Sequence, residues 1–457
     1  MINRTHRMLI VALVVVGFGG LPIAQSPRAT VIRNATLIDG TGAAPVSGAT
    51  VVLQGNRIAT VTTESVTTPA GALVIDGTGK FLIPGLMDAH VHLRGSRGGR
   101  ASGQAMTPEE ERAGTRALHG YLYAGVTTIY DAGNRSEFIF GLRGKERKGE
   151  IVSPRIFASG GTVASPNGHG GPYTVEAWPQ DRAKLDEHIK TGPDIVKIGQ
   201  DEHGWGTRPL INQLSEELLE KIIRYYHSKG VRTTIHVSNE RNAIEAIYAG
   251  VDSLAHPVIQ APISDEYVAM MKVKRVPTVS TLTIGENYSR LAEHPEFLDQ
   301  PLYRDTLPAD EIQRLKTEES AKQRENPWAT WMKVMTPIAQ DNMRRLHEAG
   351  NGIVVCGTDQ SSGAAVHREL ELLVGGGISP ADAIVTATRN AARFLGRLDD
   401  LGTIEAGKLA DLVLLRADPT ADINNAKQID VVIKDGQVVD RSKLDLPVNQ
   451  EKTSRQP

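Results

Sequence analysis

Two histidines one residue apart, His90 and His92, close the run Phe81-Leu-Ile-Pro-Gly-Leu-Met-Asp-Ala-His-Val-His92. Residues 81–87 are apolar apart from a Pro-Gly break and read as a strand. In an extended strand, residues i and i+2 point to the same face. One strand end therefore aims two imidazoles at one point, as two ligands of a metal ion must be aimed. An HxH alone does not separate that reading from two structural histidines that happen to alternate, so the rest of the chain has to decide.

Between residues 87 and 398, apolar β-branched runs alternate with helical stretches. Candidate strands after the one ending at His92 cover 127–131, 155–159, 194–198, 232–237, 253–256, 277–280 and 352–359, and amphipathic helices are expected at 215–229 and 242–249. Eight strand-then-helix units predict an α/β fold, a (β/α)8 TIM barrel. In such barrels chemistry gathers at the C-terminal ends of the strands. Those ends carry His90, His92, Lys197, His236, His256 and Asp359, on five of the eight strands. Four of the chain's 13 histidines sit there, more than chance placement explains. His188, His227, His294 and His347 lie in helical, charged surroundings and are expected to be solvated. His169, in Pro166-Asn-Gly-His-Gly-Gly171, follows the third strand in a glycine-rich loop that either approaches substrate or merely turns. Arg94, just past the HxH, either receives a substrate carboxylate or makes a structural pair. His367 is expected to cap or anchor a loop, and Cys356 to pack within the eighth strand.

Outside the barrel, residues 30–83 and 401–439 are short β-type runs broken by turns, with Gly55-Asn56 and Asp435-Gly436 as hairpin signals. Neither end has a core of its own. Residues 30–86 and 399–445 are therefore expected to form one small β-sandwich from both termini, with the barrel over 87–398. The charged stretch 286–343, carrying Trp328 and Trp331, interrupts the rhythm as a lid or an interface, and its tryptophans are expected to shape a substrate pocket. From Pro447 the tail is polar and expected to fray.

Arg4 and Arg7 precede the apolar run 8–18, with small or polar residues to Ser26. A charged start, an apolar stretch of roughly 7–15 residues and a small-residue exit describe a secretory signal. The run falls short of the ~20 residues that span a bilayer. Residues 1–26 are expected to direct the enzyme to the periplasm or outside the cell, without stable membrane insertion after cleavage. Losing residues 1–24 takes the formal net charge from −2 to −4. The chain of 457 residues has 40% hydrophobic and 23% charged residues and no basic excess, which speaks against nucleic acid as a partner. A single cysteine permits no intrachain disulfide.

The motifs Gly85-Leu-Met-Asp-Ala-His-Val-His92, Gly125-Val-Thr-Thr128, Asp194-Ile-Val-Lys-Ile198, Ile235-His236, Ala255-His-Pro257, Gly357-Thr-Asp359 and Gly402-Thr-Ile-Glu-Ala-Gly-Lys-Leu-Ala-Asp411 resemble, in order and number, those of the amidohydrolase superfamily. The branch resembled is that of imidazolonepropionase-like proteins and prolidase-type dipeptidases. The resemblance implies that His90, His92 and Asp359 hold a more buried zinc and His236 and His256 a second, at about 2.0–2.2 Å. Lys197 would be carboxylated and bridge the two ions, its amine made nucleophilic by desolvation. It further implies attack of a metal-bridging hydroxide on an amide or peptide bond, with Asp359 relaying the proton to the leaving nitrogen. The expected substrate is a small molecule, a dipeptide or N-acyl amino acid, and a homo-oligomer is expected.

Three other readings compete. Lactone or phosphotriester hydrolysis uses the same binuclear centre. Deaminases of this barrel place a Glu three residues after the third histidine, where this chain has Asn239, with Glu240 one residue late. A non-catalytic scaffold would have lost ligands, whereas all six are present.

Overall fold

The computed structural model describes residues 29–96, 103–202, 210–350 and 352–454. The expected signal segment lies outside them. Eight parallel strands form the barrel: Leu86–Val91, Val126–Asp131, Arg155–Ala158, Ile195–Gly199, Arg232–His236, Ser253–Leu254, Thr278–Val279 and Val354–Val355. Several are buried along their whole length, as strands covered on both faces must be, and their Val- and Ile-rich sequences follow from that.

Neighbouring strands pair in chain order. The third meets the fourth through the Asp194 N–H donating to the Ala158 carbonyl at 2.9 Å, and Thr162–Ala164 extends that edge onto Ile198. The ring closes between the eighth strand and the first. There the Ala89 N–H donates to the Cys356 carbonyl at 3.1 Å and the Asp359 N–H to the His90 carbonyl at 2.7 Å, and Val91 bridges to Gln360 in parallel. Gly357 permits this closure, since a Cβ there would stand 2.4 Å from a Val279 methyl and 2.9 Å from the His90 nitrogen.

Helices on the barrel's outside start at side-chain caps. Ser215 caps Glu216–Ser228 and Asn239 caps Glu240–Tyr248, each accepting from a backbone N–H of the first turn. Both helices begin near where the amphipathic pattern puts them.

The two ends of the chain share one eight-stranded sheet. Thr30–Leu37 pairs Val46–Gln54 on one edge. Its other edge splits, with Leu73–Asp76 along the first half and Phe81–Pro84 along the second. Leu412–Leu415 adds antiparallel to Phe81–Pro84, and Ile429–Lys434 follows. Ile32, Val51, Leu53, Leu82, Leu412 and Ile433 pack together as its core, to which neither end could contribute alone.

Two local expectations are corrected. The tail is not frayed through residue 454, because Pro447–Ser454 is helical, tied by the Asn449 amide to the carbonyls of Arg441 and Leu444 behind fully buried Leu446. His188 is not solvated: it is fully buried, stacked on Tyr173, and bonded to the Tyr226 hydroxyl and the Ser159 carbonyl at 2.9 and 2.8 Å. The insertion runs between helices Leu282–Glu293 and Pro327–Ala349 and holds its own small core of Leu291, Phe297 and Leu298. Trp328 and Trp331 stack on each other and pack against the main core.

Candidate active site

The Asp88 carboxylate, buried beneath the first strand's end, accepts from the Thr358 N–H at 2.9 Å, the Thr358 hydroxyl at 2.7 Å and the His90 N–H at 3.2 Å. It pins the first strand to the segment carrying Asp359. Burial raises its pKa to about 8, against the opposing pull of these bonds. Asp359 has φ of +51°, a left-handed conformation that is uncommon for a non-glycine residue and gathers at functional sites. That turn swings its carboxylate back over the first strand, 3.2 Å from His92 Nε2 and 3.7 Å from His90 Nε2.

Most of the imidazoles are oriented from behind. His90 Nδ1 donates to the Ala255 carbonyl at 2.9 Å and His92 Nδ1 to the Gly133 carbonyl at 2.7 Å. His256 Nδ1 meets the Thr281 hydroxyl at 3.0 Å. A carbonyl can only accept, so Nε2 of His90 and of His92 is left with its lone pair facing inward, the arrangement that metal-ligating histidines use. Burial holds His90 and His256 well below the usual imidazole pKa, and pushes His236 down to about 3 with help from neighbouring His169. These rings are therefore neutral at pH 7. Lys197 Nζ lies between them, 3.2 Å from His90 Nε2 and 3.4 Å from His256 Nε2. Burial alone would raise Asp359, but His90, His92 and Lys197 hold it well below the usual carboxylate range.

The structure thus gathers His92, Lys197, His236, His256 and Asp359 around one pocket, and His169 lines it as well, while His90 packs beside it with ligand atoms close to those of His256 and Asp359. A Cβ at Gly199 would overlap the His169 carbonyl oxygen at 1.7 Å, so that glycine lets the His169 loop close over the fourth strand. The pocket's volume of about 30 Å³ is room for about two water-sized bodies. Neutral imidazoles and an ionised carboxylate converging on such a space suit divalent metal ions.

Asp201, which the sequence reading did not single out, lies buried beside two of the rings that line this pocket. Its Oδ1 accepts from the Ser238 hydroxyl at 2.6 Å, and its Oδ2 lies 3.3 Å from His236 Nε2 and 3.6 Å from His169 Nδ1. No motif marks it. The available signal was its place four residues after Lys197, beside a serine two residues after His236.

Arg94 stands apart from the histidines. It pairs with Glu311 of the insertion and lines a separate cavity of about 300 Å³ walled also by Phe297, Leu298, Leu307, Gln360 and Ser361. Of the remaining residues, His367 anchors to the Ala124 carbonyl at 2.9 Å, and Cys356 is buried in the eighth strand. Asn239 is spent on its helix cap, and Glu240 on the Ser264 N–H and hydroxyl. Neither is placed as the proton shuttle a deaminase needs.

The amidohydrolase family model matches residues 81–439. Ochratoxinase of Aspergillus niger is 25% identical, over 88% of this chain and 85% of its own. An imidazolonepropionase of Geobacillus sp. (strain WCH70) is 23% identical, over 82% of this chain and 84% of its own. A solved Xaa-Pro dipeptidase with methionine bound in its active site superposes with a TM-score of 0.71 at 26% identity, over 90% of this chain and 99% of that one. With a family match running from the strand before the HxH to the last strands of the terminal sheet, over a barrel built on buried imidazoles, the chain belongs to the amidohydrolase family, as a metal-dependent hydrolase of C–N bonds similar to imidazolonepropionases and prolidase-type dipeptidases.

Proposed function

We propose that this enzyme cleaves the amide or peptide bond of a dipeptide or N-acyl amino acid, using two zinc ions. The observation that carries the reading is the convergence of four inward-facing imidazoles, Lys197 and Asp359 on one small pocket at the strands' C-terminal ends. His90, His92 and Asp359 would hold one ion and His236 and His256 the second. Lys197, buried between the two groups, would bridge them as a carbamate. Bound metal supplies a nucleophile at neutral pH and polarises the scissile carbonyl.

The chain's own residues do the rest. The carbonyls of Ala255 and Gly133 fix the tautomers of His90 and His92. Asp88 holds the Asp359 turn against the first strand, so the Asp359 carboxylate meets the reacting water rigidly. Asp359, held ionised by its imidazole neighbours, accepts the proton of the attacking water and delivers it to the leaving nitrogen. The larger cavity between the barrel and the insertion is lined in part by Gln360, the residue after Asp359, and its walls of Phe297, Leu298 and Leu307 with Arg94, Arg290 and Glu311 offer a mixed apolar and charged space for a substrate side chain or leaving group.

Export to the periplasm or beyond is part of the proposal. It is supported by the charged start and apolar run of residues 1–26 and would bring the enzyme to scavenged peptides. A hydrolysis screen of zinc-loaded protein tests the substrate class. Turnover of dipeptides or N-acyl amino acids is expected; ready hydrolysis of lactones or phosphotriesters with every amide left intact would overturn it.

A further inference from the structure

We propose that a further cavity, between the insertion and the terminal sheet, binds a small molecule bearing a multiply charged oxyanion, a phosphate or a set of carboxylates. The cavity has a volume of about 530 Å³, within the roughly 300–1,000 Å³ usual for small-molecule pockets. No residue of the metal pocket lines it, so the inference is independent of the hydrolytic reading.

Five cations stand in its walls, Arg290, Arg368, Arg416, Lys427 and Arg441, against two carboxylates, Asp305 and Glu371. Distant parts of the chain bring them together. Arg290 comes from helix Leu282–Glu293 and Arg368 from helix Gly363–Gly375, while Arg416 follows strand Leu412–Leu415 and Lys427 precedes Ile429–Lys434. Some of this charge is already matched. Arg368 pairs with Glu286 at 2.8 Å and with Glu371 at 2.7 Å, and Lys427 pairs with the same Glu371. Arg290 lies 3.8 Å from Glu286 and over the Phe297 ring. Asp305 accepts from the Tyr123 hydroxyl at 2.7 Å.

Arg441 is different. Among the described residues it pairs with no carboxylate. Its guanidinium lies over the Tyr123 ring, 4.1 Å from the centroid, and donates only to the backbone carbonyls of Tyr123 at 2.8 Å and Ile429 at 3.3 Å. Its Nε is buried without a bond. Neighbouring Arg416 has Asp430 at 3.2 Å, but Lys80 shares that carboxylate at 2.8 Å. Burial, with the nearby charge of Arg416, pulls the Arg441 pKa down. A partly buried guanidinium with unused donors beside a second cation is unfavourable by itself, and an anion held between the two relieves it. The planar forks of two arginines fit the paired oxygens of phosphate or carboxylate, and stacking on Tyr123 fixes the plane of one fork.

Titration calorimetry of the metal-loaded enzyme in chloride buffer tests this with two probes, inorganic phosphate and succinate. At least one should bind saturably, and the tighter of the two identifies the class of oxyanion. Arg441→Gln should weaken that binding by about tenfold or more. Arg416→Gln, at a side chain 58% exposed, gives the same readout if the Arg441 variant does not fold, with circular dichroism reporting folding. No saturable binding of either probe overturns the inference. So does binding that the folded variants keep at wild-type strength, as phosphate held at the metal centre would be.

Discussion

At Asp359, catalytic geometry and backbone conformation are joined. Its φ of +51° is one that Asn tolerates nearly as well as Asp, so Asp359→Asn removes the base while the turn survives. We expect kcat to fall by about 10³-fold or more with far-ultraviolet dichroism close to wild type; near-normal turnover would remove Asp359 from the proton path. Lys197 makes a second prediction. Lys197→Ala should lose bound metal and activity, and acetate or propionate should partly restore both by standing in for a carbamate. A native mass showing an unmodified lysine in the metal-loaded protein would rule the carbamate out. Residue-level legibility follows from period. His90 and His92 announce themselves because strand periodicity is two, and His236, His256 and Asp359 because they end apolar runs. Asp201 was hidden because a loop residue has no period. His188 was misread because its helix is charged, although Leu185 three residues earlier lies on the same buried face and could have signalled it.

Among the elements, the strands were readable where they are long and buried, as at Val126–Asp131. Ser253–Leu254, Thr278–Val279 and Val354–Val355 are only two residues each, and were found through their neighbours' rhythm more than their own pattern. Helix starts were readable from Ser215 and Asn239, whose caps satisfy first-turn N–H groups. The insertion was visible as an interruption, but which of its aromatics face a cavity depends on packing that no short motif encodes. Two buried histidines at helix positions make the stability pH-dependent. Burial lowers both His188 and His367 from 6.5 to about 4, so the unfolded chain binds protons that the folded chain refuses. Stability is then fully present above about pH 6.5 and falls as pH drops toward 4, by about 1.4 kcal/mol per pH unit for each histidine. Urea denaturation at pH 7, 6 and 5 should show this loss, and His188→Gln should flatten it, since Gln keeps a donor without titrating. An unchanged slope in the variant would clear His188 of the effect.

For the molecule as a whole, the architecture was legible because eight alternations, flanked by β-type segments too small to fold alone, leave few arrangements other than a barrel with its two ends shared in one sheet. The ring's last joint, between the first strand and the eighth, has a consequence for folding. Its partners are about 270 residues apart in the chain, so making it closes a very long loop, whose entropic cost must be met by whatever forms there. The joint itself is a few backbone bonds and the Asp88–Thr358 bonds, and His90 and Asp359 flank it from opposite sides. An ion gripped by both would act as a clasp on this long-range seam, coupling metal affinity to folding. Chelation should therefore loosen this region before the rest, and hydrogen–deuterium exchange at the amides of Ala89, Thr358 and Asp359 should quicken in the stripped protein while those of Val51 and Leu53, in the terminal sheet, stay protected. Uniform acceleration across both regions would mean that the ring opens only when everything does.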